Sequence, residues 1–447
     1  MTRVRTFVLT VIAALVVSLL PQAAHAAART HITVRVDAGV GSGERLLSPE
    51  GEVRITFWRL DDAGEYYSEL PDGAWTELGG GVWSSPELEG GEYAVRFIAS
   101  DESIGMQYWD RSRYWATSTD ITITAGQTVD LGTVRLEPWA LDVERVAGAN
   151  RYDTAVGVSQ LASQFGFGPS AVFLANGLDY PDALAAGPVA ISSGATLLLT
   201  SPTSLPAQTE RELARLDPDL VVIVGGRGAV GDGVEGAVRR ALPSATVGRI
   251  EGRNRYATAE ALVRAAFADT GAPVAFVATG RNYPDALAAG AAAGYRGAPV
   301  ILLDGASGSL GESTRALLRD LGVGEVVIAG GAGAVTVGIE RDLQMLLGSG
   351  NVVRHAGGSR YETAALVNVA TFPPQDFAFI ASGANFPDAL AAVPLAGMLG
   401  VPVHLTPPSC LAPVAVDALA AQRPNGLFLL GGPGAVGAAV EDLRVCG

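Results

Sequence analysis

Three copies of one sequence unit occupy the C-terminal two-thirds of the chain. An opening motif, Arg-x-x-Gly-x-x-Arg-Tyr-x-Thr-Ala, begins at Arg145, Arg249 and Arg354, so successive copies start 104 and 105 residues apart. A period of this length is that of a whole small domain, longer than the roughly 20 to 50 residues of solenoid repeats. The sequence therefore predicts three domains of one fold in series. Their predicted boundaries are 143–246, 247–351 and 352–447.

Two further motifs recur in the same order in every copy. A turn with the sequence Pro-Asp-Ala-Leu begins at Pro181, Pro284 and Pro387, each time directly after an aromatic residue. An apolar segment that ends in a glycine-rich turn follows it. The copies of this last motif occupy residues 221–230, 326–335 and 427–436. Three motifs in one order, three times over, exclude chance similarity.

Helix and strand signals alternate within each copy. Asn150, Asn254 and Ser359 precede the opening helices and are favourable N-cap residues. Ser359 also has Glu362 three positions later, which is a capping-box pattern. Short, continuously apolar segments such as 171–174 lie between the helices and are typical of strands in a parallel sheet covered on both faces. Each copy is therefore predicted to be an α/β domain with a parallel sheet.

Residues 27–142 differ from the repeats in both composition and periodicity. They contain 20 acidic residues and 9 arginines. Alternating apolar and polar residues in segments such as 31–36, 53–58 and 93–97 have the period of strands. We predict an all-β sandwich whose aromatic residues either fill its core, the favoured interpretation, or bind sugar. It loosely resembles the small prealbumin-like or carboxypeptidase-regulatory-like sandwiches of secreted proteins, a likeness that implies no activity.

The first 26 residues have the pattern of a secretory signal sequence. Arg3 and Arg5 precede an apolar run over residues 7–20, and small residues lead to a predicted cleavage site after Ala26. The run is shorter than the roughly 20 residues needed to span a bilayer. We therefore expect an exported chain with no membrane span after cleavage.

Composition excludes several functional classes. The formal net charge is −15 at pH 7, which disfavours nucleic-acid binding. The chain contains no lysine and only four histidines and two cysteines, so a P-loop lysine, a Schiff-base lysine and a multi-ligand metal site are not expected. Gly226 and Gly432 begin matches to the dinucleotide motif G-x-G-x-x-G, but Thr336 breaks it in the second copy, and tight turns explain these glycines better. We predict no cofactor and no metal.

The three repeated motifs together resemble the cell wall-binding repeat type 2 family over residues 143–447. The resemblance implies Toprim-like α/β modules about a pseudo-threefold axis, on secreted proteins of Gram-positive bacteria. It also implies non-covalent attachment to an anionic wall polymer, either teichoic-acid-like or another secondary wall polysaccharide. The family's Ile-Leu-Leu motif corresponds to residues 197–199 and 301–303, whereas the third copy has Val-His-Leu at 403–405.

Arginines are the candidate polymer-binding residues. One arginine opens the first helix of each copy, where the helix dipole disfavours a cation. An ion pair with a Pro-Asp carboxylate, or a ligand anion, would explain this placement, and the ion pair is favoured. Further arginines crowd the junction of the first two copies. The candidates are Arg151, Arg239, Arg240, Arg249, Arg253, Arg255 and Arg360, and the expected structural partners are Asp182, Asp285 and Asp388.

Cys410 and Cys446 form an even pair in an exported chain, which predicts a disulfide near the C-terminus. The predicted function is that of a wall-anchored binding protein that displays a β-sandwich, without enzyme activity. A secreted wall hydrolase and a surface-layer or adhesin component are the alternatives. The repeats contain no G-x-S-x-G motif, and His355 and His404 have no counterparts in the other copies, which speaks against a hydrolase.

Overall fold

The computed structural model describes residues 31–38, 46–47, 49, 52–60, 66–69, 75–101, 104–109, 112, 118–124, 126–137 and 139–447. The predicted signal sequence, residues 1–26, lies outside this range. Among the described residues, no helix is long and apolar enough to cross a membrane.

The described residues before 139 form two β-sheets around one hydrophobic core. Their strands are β1 (His31–Asp37), β2 (Leu46–Leu47), β3 (Val53–Leu60), β4 (Tyr66–Glu69), β5 (Thr76–Gly79), β6 (Val82–Ser84), β7 (Gly91–Ala99), β8 (Gln107–Tyr108), β9 (Ile121–Ile123) and β10 (Thr128–Arg135). One sheet has the order β10-β1-β6-β5, with β2 on β1, and the other has the order β4-β3-β7-β8, with β9 on β7. Alternate side chains of both sheets, such as Val34 and Phe97, are fully buried between them. This arrangement is the β-sandwich that the alternating segments predict.

Three four-stranded parallel sheets follow in residues 139–447. Their strands are β11 (Asp142–Val146), β12 (Ala171–Asn176), β13 (Thr196–Thr200), β14 (Leu220–Val224), β15 (Thr246–Ile250), β16 (Val274–Thr279), β17 (Val300–Leu303), β18 (Glu325–Ala329), β19 (Val352–His355), β20 (Phe377–Ser382), β21 (Val403–Thr406) and β22 (Gly426–Leu430). Inner strands such as β12 and β20 are almost entirely apolar and buried along their length, as expected for a sheet with helices on both faces.

Helices alternate with these strands. They are α1 (Arg151–Gln164), α2 (Ala186–Ser192), α3 (Ala207–Leu216), α4 (Asp232–Ala241), α5 (Arg255–Phe267), α6 (Pro284–Tyr295), α7 (Glu312–Asp320), α8 (Val337–Leu347), α9 (Arg360–Thr371), α10 (Pro387–Leu399), α11 (Pro413–Gln422) and α12 (Ala438–Glu441). The predicted N-caps hold, because the side chains of Asn150, Asn254 and Ser359 each accept a backbone N–H of the helix that follows. In the third copy the Glu362 carboxylate accepts the N–H of Gly358 rather than that of Ser359, so the capping box closes one residue early.

One edge strand of each sheet comes from the start of the next copy in the sequence, and the third sheet receives the opening strand of the first copy. The sheet orders are β13-β12-β14-β15, β17-β16-β18-β19 and β21-β20-β22-β11. Strand β11 opens the first copy and pairs in parallel with β22 of the third, from Asp142 opposite Gly426 to Val146 opposite Leu430. The structural units are therefore offset by one strand from the repeats in the sequence, and the first strand of the series completes the last sheet.

Helices α2, α6 and α10 pack against one another where the three copies meet. Their small residues allow this close approach, since a Cβ at Gly187 would lie only 2.4 Å from Cγ1 of Val393. The first copy differs at this point. Its Pro181 lies in a turn and α2 begins only at Ala186, whereas α6 and α10 begin at the corresponding prolines. Gly187 followed by Pro188 accounts for the shorter helix, because both residues weaken a helix and the first copy alone combines them.

The β-sandwich is joined to the third copy through buried polar contacts. Nη1 of Arg423 donates to the carbonyl oxygen of Ala99 at 2.6 Å, and the Tyr108 hydroxyl donates to Oδ2 of Asp376 at 3.2 Å. Burial raises the pKa of Tyr108 well above its ordinary value, so the hydroxyl remains a donor. The contact fixes the sandwich on one copy of the three.

A disulfide joins Cys410 to Cys446, as the sequence predicts. The backbone beside it is paired as well, since Leu411 donates to Arg444 and Cys446 donates to Leu411, both at 2.8 Å. The C-terminal segment is thereby held on the loop before α11.

Candidate functional site

The aromatic residue before each Pro-Asp turn lies where the three copies meet. The rings of Tyr180, Tyr283 and Phe386 have centroid separations of 5.3, 5.6 and 6.0 Å and meet mostly edge to face. Aromatic pairs with such separations add to stability beyond the area they bury. We call these three rings the aromatic triangle.

The helix-opening arginines each contact two copies. Nη1 of Arg255 donates to the carbonyl oxygen of Gly280 in its own copy at 2.8 Å, and its guanidinium lies over the ring of Tyr180 in the preceding copy. The other two follow the same rule. Arg360 binds Gly383 and lies over Tyr283, and Arg151 binds Gly177 and lies over Phe386. The cation at the helix start is thus compensated by a carbonyl dipole and an aromatic face.

The direct ion pair expected between these arginines and the Pro-Asp carboxylates is absent. Among the ion pairs that residues 139–447 form, none joins Arg151, Arg255 or Arg360 to an aspartate of the turns. Each guanidinium instead donates a hydrogen bond to a backbone carbonyl oxygen of its own copy, that of Gly177, Gly280 or Gly383. The aspartates, Asp182, Asp285 and Asp388, lie against the glycine turn of their own copy.

Two of these carboxyls are held closer to their neutral form than an ordinary aspartate. Burial raises the pKa of Asp285 from 3.8 to about 6, and the charge of Arg360 opposes this rise only in part. Burial also raises the pKa of Asp388, against the opposing effects of a hydrogen bond from Thr154 and the charge of Arg151. In both cases the arginine belongs to the next copy, with the first copy following the third. Its charge therefore lowers the pKa of the aspartate across a copy interface, although the two side chains form no ion pair.

The arginines of the first junction do not form one cationic patch. Arg249 is largely buried, donates to the carbonyl oxygen of Gly225 and pairs with Glu235 at 3.0 Å. Arg239 binds the same glutamate at 2.9 Å, and both hydrogen bonds lower the pKa of Glu235. Only Arg240 and Arg253 of this group are exposed and make no hydrogen bond or ion pair within residues 139–447.

A groove in the second copy lies between α5 and α7 and has Ile301 and Leu302 at its floor. The cavity has a volume of about 470 Å³. Arg253 and Tyr256 also line it, and Glu260 lies on its wall. The residues that line the groove are Arg253, Asn254, Tyr256, Ala257, Ala259, Glu260, Val263, Ile301, Leu302, Ser313, Thr314 and Leu317. We call this cavity the copy-2 groove.

The corresponding helices of the first copy are bridged by polar side chains. Ser159, at the position of Val263, donates to the buried carboxylate of Glu212 at 2.6 Å. Arg215 binds that carboxylate with two nitrogens, at 2.8 and 2.6 Å. Gln208 additionally donates to the side-chain oxygen of Asn150 at 3.2 Å. These contacts hold α3 against α1.

In the third copy a buried polar network joins the corresponding helices. His404 stands where the second copy has Leu302, and it joins Asn368 of α9 at 3.2 Å to Gln422 of α11 at 2.9 Å. All three side chains are at most 2% exposed. Burial lowers the pKa of His404 to about 4, so the ring is neutral at neutral pH. The departure of this copy from the Ile-Leu-Leu motif thus serves packing.

Sequence reasoning found the floor of the copy-2 groove but not its walls. It singled out residues 301–303 and Arg253, and it passed over Val263, Ser313 and Thr314. Comparing the three copies position by position would have found the signal, because Ser159, Val263 and Asn368 are equivalent and only the second lacks a polar group. Among the described residues, no group of three or more histidine, cysteine, aspartate or glutamate side chains could hold a metal ion.

The model of the family called cell wall binding domain 2 matches the chain three times, at residues 145–235, 249–340 and 354–441. The matches cover more than half of the chain and coincide with the three repeated units. The protein belongs to the cell wall binding domain 2 family. It is accordingly a secreted, cell wall-associated protein with three such domains in tandem.

Two curated relatives share this repeated region. One is the N-acetylmuramoyl-L-alanine amidase LytC of Bacillus subtilis (strain 168), 28% identical over 315 residues that make up 70% of this chain and 60% of LytC. The other is the Amidase enhancer of the same organism, 31% identical over 57% of this chain and 33% of the relative. The chain thus spans 60% of the length of LytC and 33% of that of the Amidase enhancer.

Two solved structures have the same fold over most of the chain. Cwp6 from Clostridium difficile superposes with a TM-score of 0.62 and 21% identity, over 90% of this chain and 66% of that one. Cwp8 from the same organism gives a TM-score of 0.60 and 23% identity, over 80% of this chain and 59% of that one. The three cell wall binding domain 2 units account for most of the aligned length.

Proposed function

We propose that the three cell wall binding domain 2 copies anchor the protein non-covalently to the cell wall by binding an anionic wall polymer, and that the β-sandwich is displayed there. The copy-2 groove is the observation that carries the choice of site. It combines an apolar floor with the guanidinium of Arg253 at its edge. A polymer of sugars or polyols could place its C–H faces on the apolar floor. Its phosphate or carboxylate groups could bind the guanidinium.

The charges around the groove are compatible with an anionic ligand. Its one carboxylate, Glu260, is engaged by Arg264 at 3.1 Å and by the hydroxyl of Ser313. Arg253 has no such partner among residues 139–447 and is exposed. A phosphate of a teichoic-acid-like polymer and a carboxylate of another secondary wall polysaccharide would both bind a free guanidinium. The anionic group therefore binds at the Arg253 end of the groove.

We further propose that the copies are Toprim-like units arranged about a pseudo-threefold axis through the aromatic triangle. The near-equal ring separations support this arrangement. The cyclic order in which α1, α5 and α9 pack on α10, α2 and α6 supports it as well. In this arrangement the helix-opening arginines, Arg151, Arg255 and Arg360, act as scaffold.

Binding of the full chain to purified walls tests the site. We expect binding to walls that retain their anionic polymers and its loss after acid stripping of those polymers. Arg253→Gln should weaken binding at least about tenfold and lessen its salt dependence, with an unchanged melting temperature. The matched control is Arg341→Gln on α8, an exposed arginine outside the groove, which should bind as the unchanged protein does. Equal binding to stripped walls, or by the Arg253 variant, would contradict the proposal.

The region that binds can be tested separately. Residues 139–447 include β11 entire and should bind walls alone, whereas residues 27–138 should not. Wall binding by the β-sandwich fragment alone would reverse the assignment of roles.

The relatives named as an amidase and an amidase enhancer suggest a role near wall hydrolysis. The chain matches them over the length of its repeats, which the family model describes as a binding domain. We propose that this chain shares their wall-binding part and has no hydrolase activity of its own. Incubation of the purified protein with walls should leave their turbidity and free amino groups unchanged, and a fall in turbidity would favour the hydrolase alternative.

A further inference from the structure

Tyr180, the aromatic residue before the Pro-Asp turn of the first copy, contacts the second copy at two points. Its ring lies under the guanidinium of Arg255, with Cζ of the arginine 5.9 Å from the ring centroid. Its hydroxyl donates to the carbonyl oxygen of Arg281 at 3.1 Å. The first copy thereby holds both the start of α5 and the segment that follows β16.

Gly280 connects these two points to the wall of the copy-2 groove. Its carbonyl oxygen accepts the hydrogen bond from Nη1 of Arg255 at 2.8 Å. A Cβ at Gly280 would lie 2.6 Å from Cε1 of Tyr256, so the ring of Tyr256 packs directly on this glycine. Tyr256 in turn lines the groove together with Arg253. A continuous set of contacts therefore runs from Tyr180 of the first copy to the groove of the second.

The charges around the Tyr256 hydroxyl belong to the same interface. Burial raises the pKa of Tyr256, and the charge of Asp304 raises it further. The charges of Arg255 and Arg281 oppose this rise. Both of these arginines belong to the segments that Tyr180 contacts. The surroundings of the Tyr256 side chain are thus set by the junction of two copies as well as by its own helix.

The packing of a tyrosine on a glycine recurs in the other two copies. A Cβ at Gly177 would lie 2.8 Å from Cε1 of Tyr152, and a Cβ at Gly383 would lie 2.5 Å from Cε1 of Tyr361. Replacement of the glycine by alanine therefore creates the same kind of clash in each copy. Of the three glycines, only Gly280 supports a tyrosine that lines the copy-2 groove.

We propose that Tyr180 and Gly280 are positioning residues of the copy-2 groove, because together they fix the place of Tyr256 in its wall. In a close-packed protein, displacement of one wall side chain changes the shape of the groove. The affinity of the groove for the wall polymer then depends on the contact between the first and second copies, and the second copy alone does not form a complete site. This inference rests on the proposed function of the groove.

Wall-binding isotherms of the full chain test the role of Gly280, with purified walls that retain their anionic polymers as the probe. Gly280→Ala should weaken binding at least about fivefold, because the ring of Tyr256 must move away from residue 280. Gly177→Ala and Gly383→Ala are the matched controls. They should lower the melting temperature to a similar extent and bind within about twofold of the unchanged protein. Equal weakening by all three variants would overturn the proposal.

A double-mutant cycle tests whether Gly280 acts through Tyr256. Tyr256→Leu removes the ring and should weaken wall binding by itself. Adding Gly280→Ala to that variant should cause no further loss, because the clash needs the ring. Losses that add in the double variant would overturn the proposal, since Gly280 would then act independently of Tyr256.

Tyr180 provides a test that does not depend on the folding of the glycine variants. Tyr180→Leu removes both contacts with the second copy and should weaken wall binding, although the residue lies outside the groove lining. Tyr180→Phe keeps the ring under Arg255 and should bind more tightly than Tyr180→Leu. The control is Phe386→Leu, which removes the equivalent ring under Arg151. Equal binding by the Tyr180→Leu and Phe386→Leu variants would overturn the proposal.

Arg253→Gln separates failure of this inference from failure of the proposed function. Gly280→Ala leaves the guanidinium of Arg253 in place, so its weaker binding should keep the salt dependence that Arg253→Gln reduces. If Arg253→Gln binds walls as the unchanged protein does, the proposed function fails and this inference fails with it. If Arg253→Gln weakens binding while Gly280→Ala behaves as its controls do, only this inference fails.

Discussion

A positive φ at one glycine of each copy explains where the Pro-Asp carboxylates lie. Gly225, Gly330 and Gly431 have φ of +93°, +116° and +102°. A Cβ at Gly330 would lie 2.6 Å from Oδ2 of Asp285, so glycine is needed both for the backbone conformation and for the space. The turn thereby packs closely against a half-buried carboxylate in each copy.

The raised pKa of Asp285 makes stability depend on pH. The folded pKa of about 6 exceeds the ordinary value of 3.8, so the folded protein binds the proton more tightly than the unfolded chain. This contribution is fully present below pH 3.8 and is lost as the pH rises through 6. Asp285→Asn should therefore raise the melting temperature at pH 8 by the equivalent of at most about 3 kcal/mol and reduce its change between pH 5 and 8.

Asp304→Asn is the matched control for that measurement. The hydrogen bond from Arg281 lowers the pKa of Asp304, so its charge is favourable in the folded state. This variant should lower the melting temperature at pH 8. A lower melting temperature of Asp285→Asn at pH 8 would instead indicate a stabilising charge at that position.

Arg255 is expected to contribute to stability without contacting the polymer. Arg255→Ala removes the hydrogen bond to Gly280 and the contact with the Tyr180 ring, at a cost of about 1–3 kcal/mol in the free energy of unfolding. Urea unfolding measures this loss, and Arg240→Ala, at an exposed arginine, serves as the control with little change. If the Arg255→Ala variant is fully stable but no longer binds walls, the helix-opening arginines bind the polymer and do not serve mainly as scaffold.

At the scale of single elements, the three copies use the space between their first and third helices differently. The second copy has the copy-2 groove between α5 and α7, and its helix bridges lie nearer the surface, from Arg264 to Asp320 at 2.8 Å and from Ser313 to Glu260. The first copy places the carboxylate of Glu212 between the helices, and the third places the network around His404 there. One framework therefore yields three different sets of contacts between these helices. The differences come from a few positions on α3, α7 and α11 and on the helices opposite.

His404 can be changed to leucine, the residue that both other copies have at this position. His404→Leu should lower the free energy of unfolding by about 1–3 kcal/mol, because the buried amides of Asn368 and Gln422 lose a partner. Adding Asn368→Val and Gln422→Leu removes the stranded polar groups and should restore most of the loss. Urea unfolding of the single and triple variants measures both effects. A triple variant no more stable than the single variant would contradict the stabilising role of the network.

At the scale of the whole molecule, the chain closes on itself through β11. Arg145 on this strand donates to the carbonyl oxygens of Gly431 and Val436 and pairs with Glu441 at 2.8 Å. Arg249 and Arg354 form the equivalent contacts with the glycine turns of the first and second copies. The first strand of the repeat region is thus structurally part of the third copy.

Removal of β11 should destabilise the far end of the chain. A fragment of residues 147–447 leaves β22 as an unpaired sheet edge, whereas a fragment of residues 139–447 keeps the pair. We expect faster amide hydrogen exchange in β20 and β22 of the shorter fragment and unchanged exchange in β12 and β16. Equal protection of β22 in both fragments would show that the closing strand is dispensable.

The sequence by itself determined the number of copies, the N-caps and the order of strands and helices. These features depend on local patterns and on internal repetition, so the apolar run of β12 and the cap at Asn150 could be read directly. The sequence also predicted the disulfide, because only two cysteines are present.

Only the tertiary structure decided which surfaces meet. The partner of Arg255 is a carbonyl and a ring of another copy, and β11 pairs with a strand that lies more than 280 residues later. The openness of the copy-2 groove likewise depends on side chains of two helices that are distant in sequence. These properties follow from three-dimensional packing, because an arginine or a strand edge has many acceptable partners and the fold brings only one within reach.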